Sequence, residues 1–223
     1  YLAQELTRYK LGEVAPMAHF GLTSEDVNNL AYGLVIREAT EYLVRVGADF
    51  LEGLIELVRG LGKSVMLART HGQPAVPTTM AKELLVHARR MADAMMLISD
   101  LRIEGKLLGA VGTMAAHRFV FAEKDWLRFS KEFVKGLGLE PILLSTQVVA
   151  PTSYMRMMSA LVELGMHIEA FCIDMWHYIS LGYFKQSFDA KSVGSSTMPQ
   201  KVNPIRFENA EGNAGLAIAL AMA

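Results

Sequence analysis

The sequence predicts an all-α protein, a bundle of long helices, on three observations. Apolar residues recur at helical spacing over three stretches far too long for strands, about 25 to 60, 80 to 108 and 151 to 184. Capping residues precede the first two, Thr23-Ser-Glu-Asp26 and Thr78-Thr79. The composition, 52% hydrophobic against 20% charged over 223 residues, is rich for a chain that folds alone. Apolar surface buried against other chains, and hence an oligomer, is the expected outlet.

Several function classes are disfavoured by the same totals. A formal net charge of -1 with scattered Lys and Arg gives no basic footprint for nucleic acid. Cys172 is the sole cysteine, so an internal disulfide or a cysteine-based metal site is excluded, and a cytoplasmic location fits. The most apolar run, Ile168 to Phe184, is interrupted by Glu169, Asp174 and His177, which favours a bundle helix over a membrane span. Tyr1 is not a natural start and Gly215 to Ala223 ends without a cap, so the chain reads as cut at both ends and an upstream targeting segment stays open.

Taken in order, Tyr1 to Lys10 reads as the tail of a helix, followed by an irregular stretch through Gly12, Pro16 and Gly21 in which His19 is a loop residue. Thr23-Ser-Glu-Asp26 is a capping box for a helix from Glu25 to about Gly60. Hydroxyls and N–H groups at such a start also suit a phosphate. Val65 to Ala68 leads into Arg69-Thr-His-Gly-Gln-Pro-Ala-Val-Pro77, a loop fixed by Gly72, Pro74 and Pro77. His71 in that turn is a group titrating near neutral pH that a rigid loop can aim.

Thr78-Thr79 caps a helix from about Met80 to Leu108 whose Met and Leu stripe is core, with His87, Arg89 and Arg90 on a solvated or interchain face. Gly105 and Gly109-Ala-Val-Gly112 end it in a glycine-rich turn lacking the full phosphate-loop pattern. Asp125 to Gly136 reads as a short amphipathic helix, and Thr146-Gln147 precedes the last long helix, Pro151 to Phe184. His167 and His177 lie on its apolar faces as core or interface residues, and no spacing there suggests a metal centre.

Lys191-Ser-Val-Gly-Ser-Ser-Thr-Met-Pro-Gln-Lys-Val-Asn-Pro204 has neither helical nor strand periodicity and reads as an ordered functional loop. Asn203-Pro204 pairs an N-cap with proline at the first helical position, so a helix starts at Pro204. Its N-terminus beside Lys201 favours an anion, a carboxylate or a phosphate.

Gly194-Ser-Ser-Thr-Met-Pro-Gln-Lys-Val-Asn-Pro204 resembles the characteristic loop of the fumarase/aspartase superfamily, enzymes that eliminate fumarate from a succinyl-bearing substrate. Thr23-Ser-Glu-Asp-Val-Asn-Asn29 and Arg69-Thr-His-Gly-Gln-Pro-Ala75 narrow the likeness to the adenylosuccinate lyases. It continues through Gly109-Ala-Val-Gly112, Thr146-Gln147 and Phe207-Glu-Asn-Ala-Glu-Gly-Asn213, nearly the whole chain. Thr113-Met114-Ala115 departs from the Asn-Tyr-Asn or Thr-Tyr-Ala of that family and carries over no tyrosine or asparagine role.

The resemblance implies residues 1–12 as the remnant of a preceding domain and 13–223 as the central helical-bundle domain, with a C-terminal part beyond the chain. It implies a homotetramer with active sites shared between subunits, a succinylated purine nucleotide as substrate, and neither metal nor organic cofactor. It assigns catalysis to Ser195 as base, His71 as acid for the leaving nitrogen, and Glu208 as the carboxylate orienting it. Composition and spacing alone do not choose between Ser195 and Ser196; the likeness picks the first. Lys201, Asn203 and the following helix start would hold the succinyl carboxylate and stabilise its carbanion, an oxyanion-hole task. Thr23, Ser24, Thr70, Gln147, Ser196, Val202 and Asn209 are the further substrate-binding positions it implies. A different fumarate-releasing lyase, such as one acting on argininosuccinate, and a catalytically silent helical oligomer are the alternatives; Thr23-Ser-Glu-Asp26 argues against the first, the intact Ser195, Lys201, Asn203, His71 and Glu208 against the second.

Overall fold

The computed structural model describes residues 1–186, 198 and 201–223. Its described elements are α1 (Leu2–Arg8), a 3₁₀ helix (Gly12–Met17), α2 (Ser24–Leu61), β1 (Val65–Thr70), β2 (Gln73–Thr79), α3 (Met80–Asp100), β3 (Glu104–Lys106), α4 (Ala115–Val120), α5 (Trp126–Gly136), β4 (Glu140–Ile142), α6 (Thr152–Ser180) and α7 (Ile205–Met222). The helical fold class and the long helices expected from periodicity are present. Among the described residues, no helix is long and apolar enough to cross a membrane.

The chain divides into two compact units. Unit 1 comprises Tyr1–Thr40 and Arg102–Tyr154. The start of α2 packs there against a parallel two-stranded ribbon, β3 with β4, in the register Glu104↔Glu140, Gly105↔Pro141 and Lys106↔Ile142. Leu30, Ile103, Leu107, Leu108, Val134 and Leu139 are its buried apolar centre. Gly105 makes the close packing possible, since a Cβ there would lie 2.8 Å from the Leu30 side chain and 3.0 Å from that of Val134. Helix α5 is started by Asp125, whose carboxylate accepts from the Arg128 amide at 3.0 Å, and buries Trp126, Ser130 and Val134 at four-residue spacing.

Unit 2 comprises Glu41–Leu101 and Met155–Ala223. Thr79 caps α3 by accepting from the Lys82 amide, as expected. The helix buries Met80, Leu84, His87, Ala88, Met91, Ala94, Met95 and Ile98, a stripe at three- and four-residue spacing. Glycine lets helices approach: a Cβ on Gly47 of α2 would lie 2.6 Å from Met95 of α3, and one on Gly165 of α6 would lie 2.7 Å from Ile218 of α7.

Four expectations need correction. The helix expected to run from Met80 to Leu108 ends at Asp100, and Glu104–Lys106 is a strand instead, because its pairing with β4 and the close approach at Gly105 outweigh a local apolar pattern. The proline-rich loop after Val65 is a β-hairpin. Pro74 and Pro77 are tolerated because a two-stranded ribbon leaves each strand an outer edge where no donor is needed. His87 is 4% exposed, with its Nε2 3.0 Å from Asp174 Oδ2, while Arg89 and Arg90 are exposed as expected. His177 of α6 is exposed and His167 is partly so, which removes the core reading of both and leaves the interface one.

Candidate active site

In unit 1 the sequence-predicted Thr23, Ser24 and Gln147 sit on segments fastened to one buried polar centre. Asp26 and Lys106 are both 0% exposed and form an ion pair of 2.9 Å. The capping box is real, and its acidic half does the bonding: Asp26 Oδ2 accepts from the Thr23 amide at 3.0 Å. The same oxygen accepts from the Gly109 amide at 3.1 Å, and Oδ1 accepts from the Leu108 amide at 3.1 Å. The first N–H groups of the glycine-rich turn thus bind an anion, but the anion is the protein's own carboxylate. Lys106 completes the centre by donating to the carbonyls of Gly109 at 2.8 Å and Gln147 at 3.0 Å. Thr23 is half-buried, while Ser24 and the Gln147 side chain are exposed and open to a ligand.

Asn29 extends the network. Its Oδ1 accepts from the Lys106 amide at 2.8 Å and its Nδ2 donates to the Tyr154 hydroxyl at 2.8 Å. That hydroxyl donates back to the Asn29 carbonyl at 3.0 Å, and burial holds the Tyr154 phenol above its ordinary range. His117, 3% exposed, packs against Phe20 and Trp126, and burial lowers its pKa despite the opposing pull of Asp26. The chain turns at Gly21 directly against this ring, with φ +67, where a Cβ would collide with the imidazole.

In unit 2, His71 stands at the tip of the β1–β2 hairpin. Thr70 pairs with Gln73, leaving His71-Gly72 as a two-residue loop with φ +53 and +73. Positive φ at both central residues is what a tight hairpin turn of this hand requires. Arg69 braces the turn by donating to the Gly72 carbonyl at 3.0 Å, and the Tyr183 hydroxyl donates to the Leu67 carbonyl at 3.2 Å. Thr70 and His71 are exposed, so the imidazole is presented on a stiff support.

The expected loop lies in part outside the described residues, and Ser195 and Ser196 with it. Among its described residues, the Val202 carbonyl accepts from Gln186 Nε2 at 3.1 Å, and the Lys201 amide donates to the Met198 carbonyl at 3.0 Å. Helix α7 begins at Ile205, with Pro204 rather than Asn203 in the cap position and no side-chain cap. Proline supplies no capping oxygen, so among the described residues no side chain caps the first amides of α7, which start beside exposed Lys201 and Asn203. Glu208 is the acidic residue of the first turn, exposed like Asn209, and shares a small hollow with Ile173, Trp176 and Glu211. The Asn209 carbonyl accepts from Asn213 Nδ2 at 2.8 Å.

Sequence reasoning missed Lys106, a lone lysine placed in an expected helix, and the inward role of Asp26, read only as a cap acid. Apolar Ile103, Leu107 and Leu108 on both sides of Lys106 were the available signal. Tyr178 is no acid–base candidate: burial, then Asp174 and Glu83, push its phenol up to about 12.

The family model described as Lyase matches residues 2–218. The chain is 44% identical over 206 residues to an adenylosuccinate lyase of Legionella pneumophila (strain Corby), covering 91% of this chain and 44% of that protein. It is 39% identical over 212 residues to the adenylosuccinate lyase of Escherichia coli (strain K12), covering 95% and 46%. The Dictyostelium discoideum adenylosuccinate lyase is 41% identical over 212 residues, covering 93% and 46%. The chain therefore spans less than half the length of these curated relatives. The resemblance read from its motifs is the one the comparisons find, and with residues 2–218 matched the chain belongs to the Lyase family.

Proposed function

We propose that the complete protein is an adenylosuccinate lyase, eliminating fumarate from adenylosuccinate to give AMP and from the succinylated aminoimidazole carboxamide ribotide to give AICAR. The observation that carries this reading is 39–44% identity to adenylosuccinate lyases across more than nine tenths of the chain. Supporting it, the matched segments include each chemical group the reaction needs.

β-Elimination requires a base for the proton beside a carboxylate, charge stabilisation for the carbanion, and an acid for the leaving nitrogen. Ser195 takes the proton, breaking C–H. Lys201, Asn203 and the first amides of α7 hold the carboxylate as it takes up the negative charge, a cation and a helix N-terminus acting on the same anion. The C–N electron pair departs with the nitrogen, and His71 delivers a proton to it. Glu208 orients and charge-stabilises the imidazolium as a carboxylate partner. Thr23, Ser24, Thr70, Gln147, Ser196, Val202 and Asn209 bind the remainder of the substrate.

A homotetramer sharing its active sites between subunits fits the exposed apolar side chains of the long helices, among them Tyr32, Val35 and Tyr42 on α2 and Met166 and Trp176 on α6. The test is fumarate release from adenylosuccinate by the complete protein, beside Ser195→Ala and with argininosuccinate as control. Release from adenylosuccinate alone, lost in the variant while the oligomer persists, is expected. A folded oligomer that releases none sinks the substrate assignment, and release unaffected by Ser195→Ala sinks the base.

A further inference from the structure

The ion pair between Asp26 and Lys106 is made at full burial, where taking two charges out of water is costly and a well-packed apolar pair would serve stability as well or better. Its bonding pattern shows a different use. The carboxylate fills four acceptor positions, with Lys106 Nζ and the amides of Thr23, Leu108 and Gly109. The ammonium fills all three donor positions, with Asp26 and the carbonyls of Gly109 and Gln147. Every backbone partner belongs to one of three segments: the start of α2, the turn after β3, and the loop before α6. Two of these carry the residues placed on the substrate, Thr23 with Ser24, and Gln147.

The geometry points to Lys106 and Asp26 as positioning residues that set the spacing between the Thr23–Ser24 helix start and the Gln147 loop, and so preorganise the residues on both segments for gripping the substrate. Neither reaches the substrate. An apolar pair would fill the same volume but fix none of these backbone groups, because directionality comes from the hydrogen bonds. The inference rests on the reading above that Thr23, Ser24 and Gln147 bind substrate.

In the complete protein, Lys106→Met keeps the stem and removes the three donors. KM for adenylosuccinate and the inhibition constant of AMP should rise about tenfold or more while kcat stays within about threefold, as when a misplaced contact weakens ground and transition states alike. Asp26→Asn should act in the same direction, and Lys106→Met with Asp26→Asn should cost less than the two single effects combined, because they break one network. Tyr154→Phe is the structural control: it removes two bonds to Asn29 but none made by the Asp26 carboxylate or the Lys106 ammonium, so it should lower Tm and leave KM unchanged. A folded Lys106→Met enzyme with unchanged KM and AMP affinity would overturn the proposal, as would a fall in kcat alone. Hydrogen exchange supplies a readout independent of activity: peptides covering 107–112 and 145–149 should exchange faster in Lys106→Met, and unchanged exchange in both overturns the clamp. If Lys106→Met does not accumulate, the doubly neutral variant carries the same readouts. Wild-type protein that releases no fumarate would refute the functional reading, and the exchange experiment would still decide the clamp.

Discussion

The residues proposed for the reaction are held in opposite ways in the two units. In unit 1 the segments bearing Thr23 and Gln147 are tied to fully buried side chains, so their backbone cannot shift without exposing or unpairing a charge. In unit 2, His71, Lys201, Asn203 and Glu208 are all exposed and ride on a hairpin tip and a helix start with proline at its cap, braced by side-chain bonds from Arg69 and Gln186 to backbone carbonyls. Groups that grip a substrate gain from being fixed in advance. Groups that move protons must be reachable, and exposed segments of few buried contacts are also those that open most readily. With the proposed roles, the difference separates fixed binding segments from accessible proton-transfer groups, and it can be attacked from either side.

The largest effect is expected at the hairpin tip. His71→Asn should lower turnover about 100- to 10,000-fold, the range for losing one general acid, with Tm unchanged because asparagine accepts the left-handed φ of +53. A clear drop in Tm would show that the tip carries fold as well as chemistry and would erase the contrast. On the other side, Gly112→Ala should destabilise by about 1–3 kcal/mol in urea unfolding, because φ is +76 and the added Cβ would run into the Ser145 carbonyl. It should also raise KM through the adjoining Gln147 loop.

A smaller effect is expected in acid. His117 is held neutral by burial, below its ordinary value of 6.5, so the unfolded chain binds the extra proton first. Its stability contribution is unaffected above about pH 6.5 and is lost as pH falls from there through the lowered folded value. His117→Phe should flatten this acid limb in denaturation measured from pH 7 to 5. The smallest is Arg89→Ala, which removes an exposed pair with Asp93 at 2.7 Å and should leave Tm within error.

How far the sequence carried depended on the range of the forces involved. Helix α2 was legible because Thr23 to Asp26 and a 3.6-residue stripe are local signals, and the observed Ser24–Leu61 matches the expected Glu25 to Gly60 closely. Strand β3 was not: three residues cannot display a period, and the partner Glu140–Ile142 lies well over thirty positions away. The hairpin was hidden by Pro74 and Pro77, which weigh against a strand unless its outer edge is free. At the site, the motif residues were found as types while their surroundings were not. The Thr23–Asp26 bond spans three positions, but the bond that buries the same carboxylate, Lys106 to Asp26, spans eighty.

That separation also bears on how the protein is made. Unit 1 is discontinuous: its first piece ends at Thr40 and its second begins at Arg102, with a stretch of unit 2 between them. On a ribosome adding ~5–20 residues per second, Asp26 waits roughly 4 to 16 seconds before Lys106 even exists. During that interval a carboxylate destined for the interior is still hydrated, and apolar Leu30 lacks its cover. Closing this unit is a late, nonlocal event that a nascent α2 cannot anticipate. Slow synthesis through residues 41–101 therefore prolongs the stage at which the chain depends most on being kept from premature association.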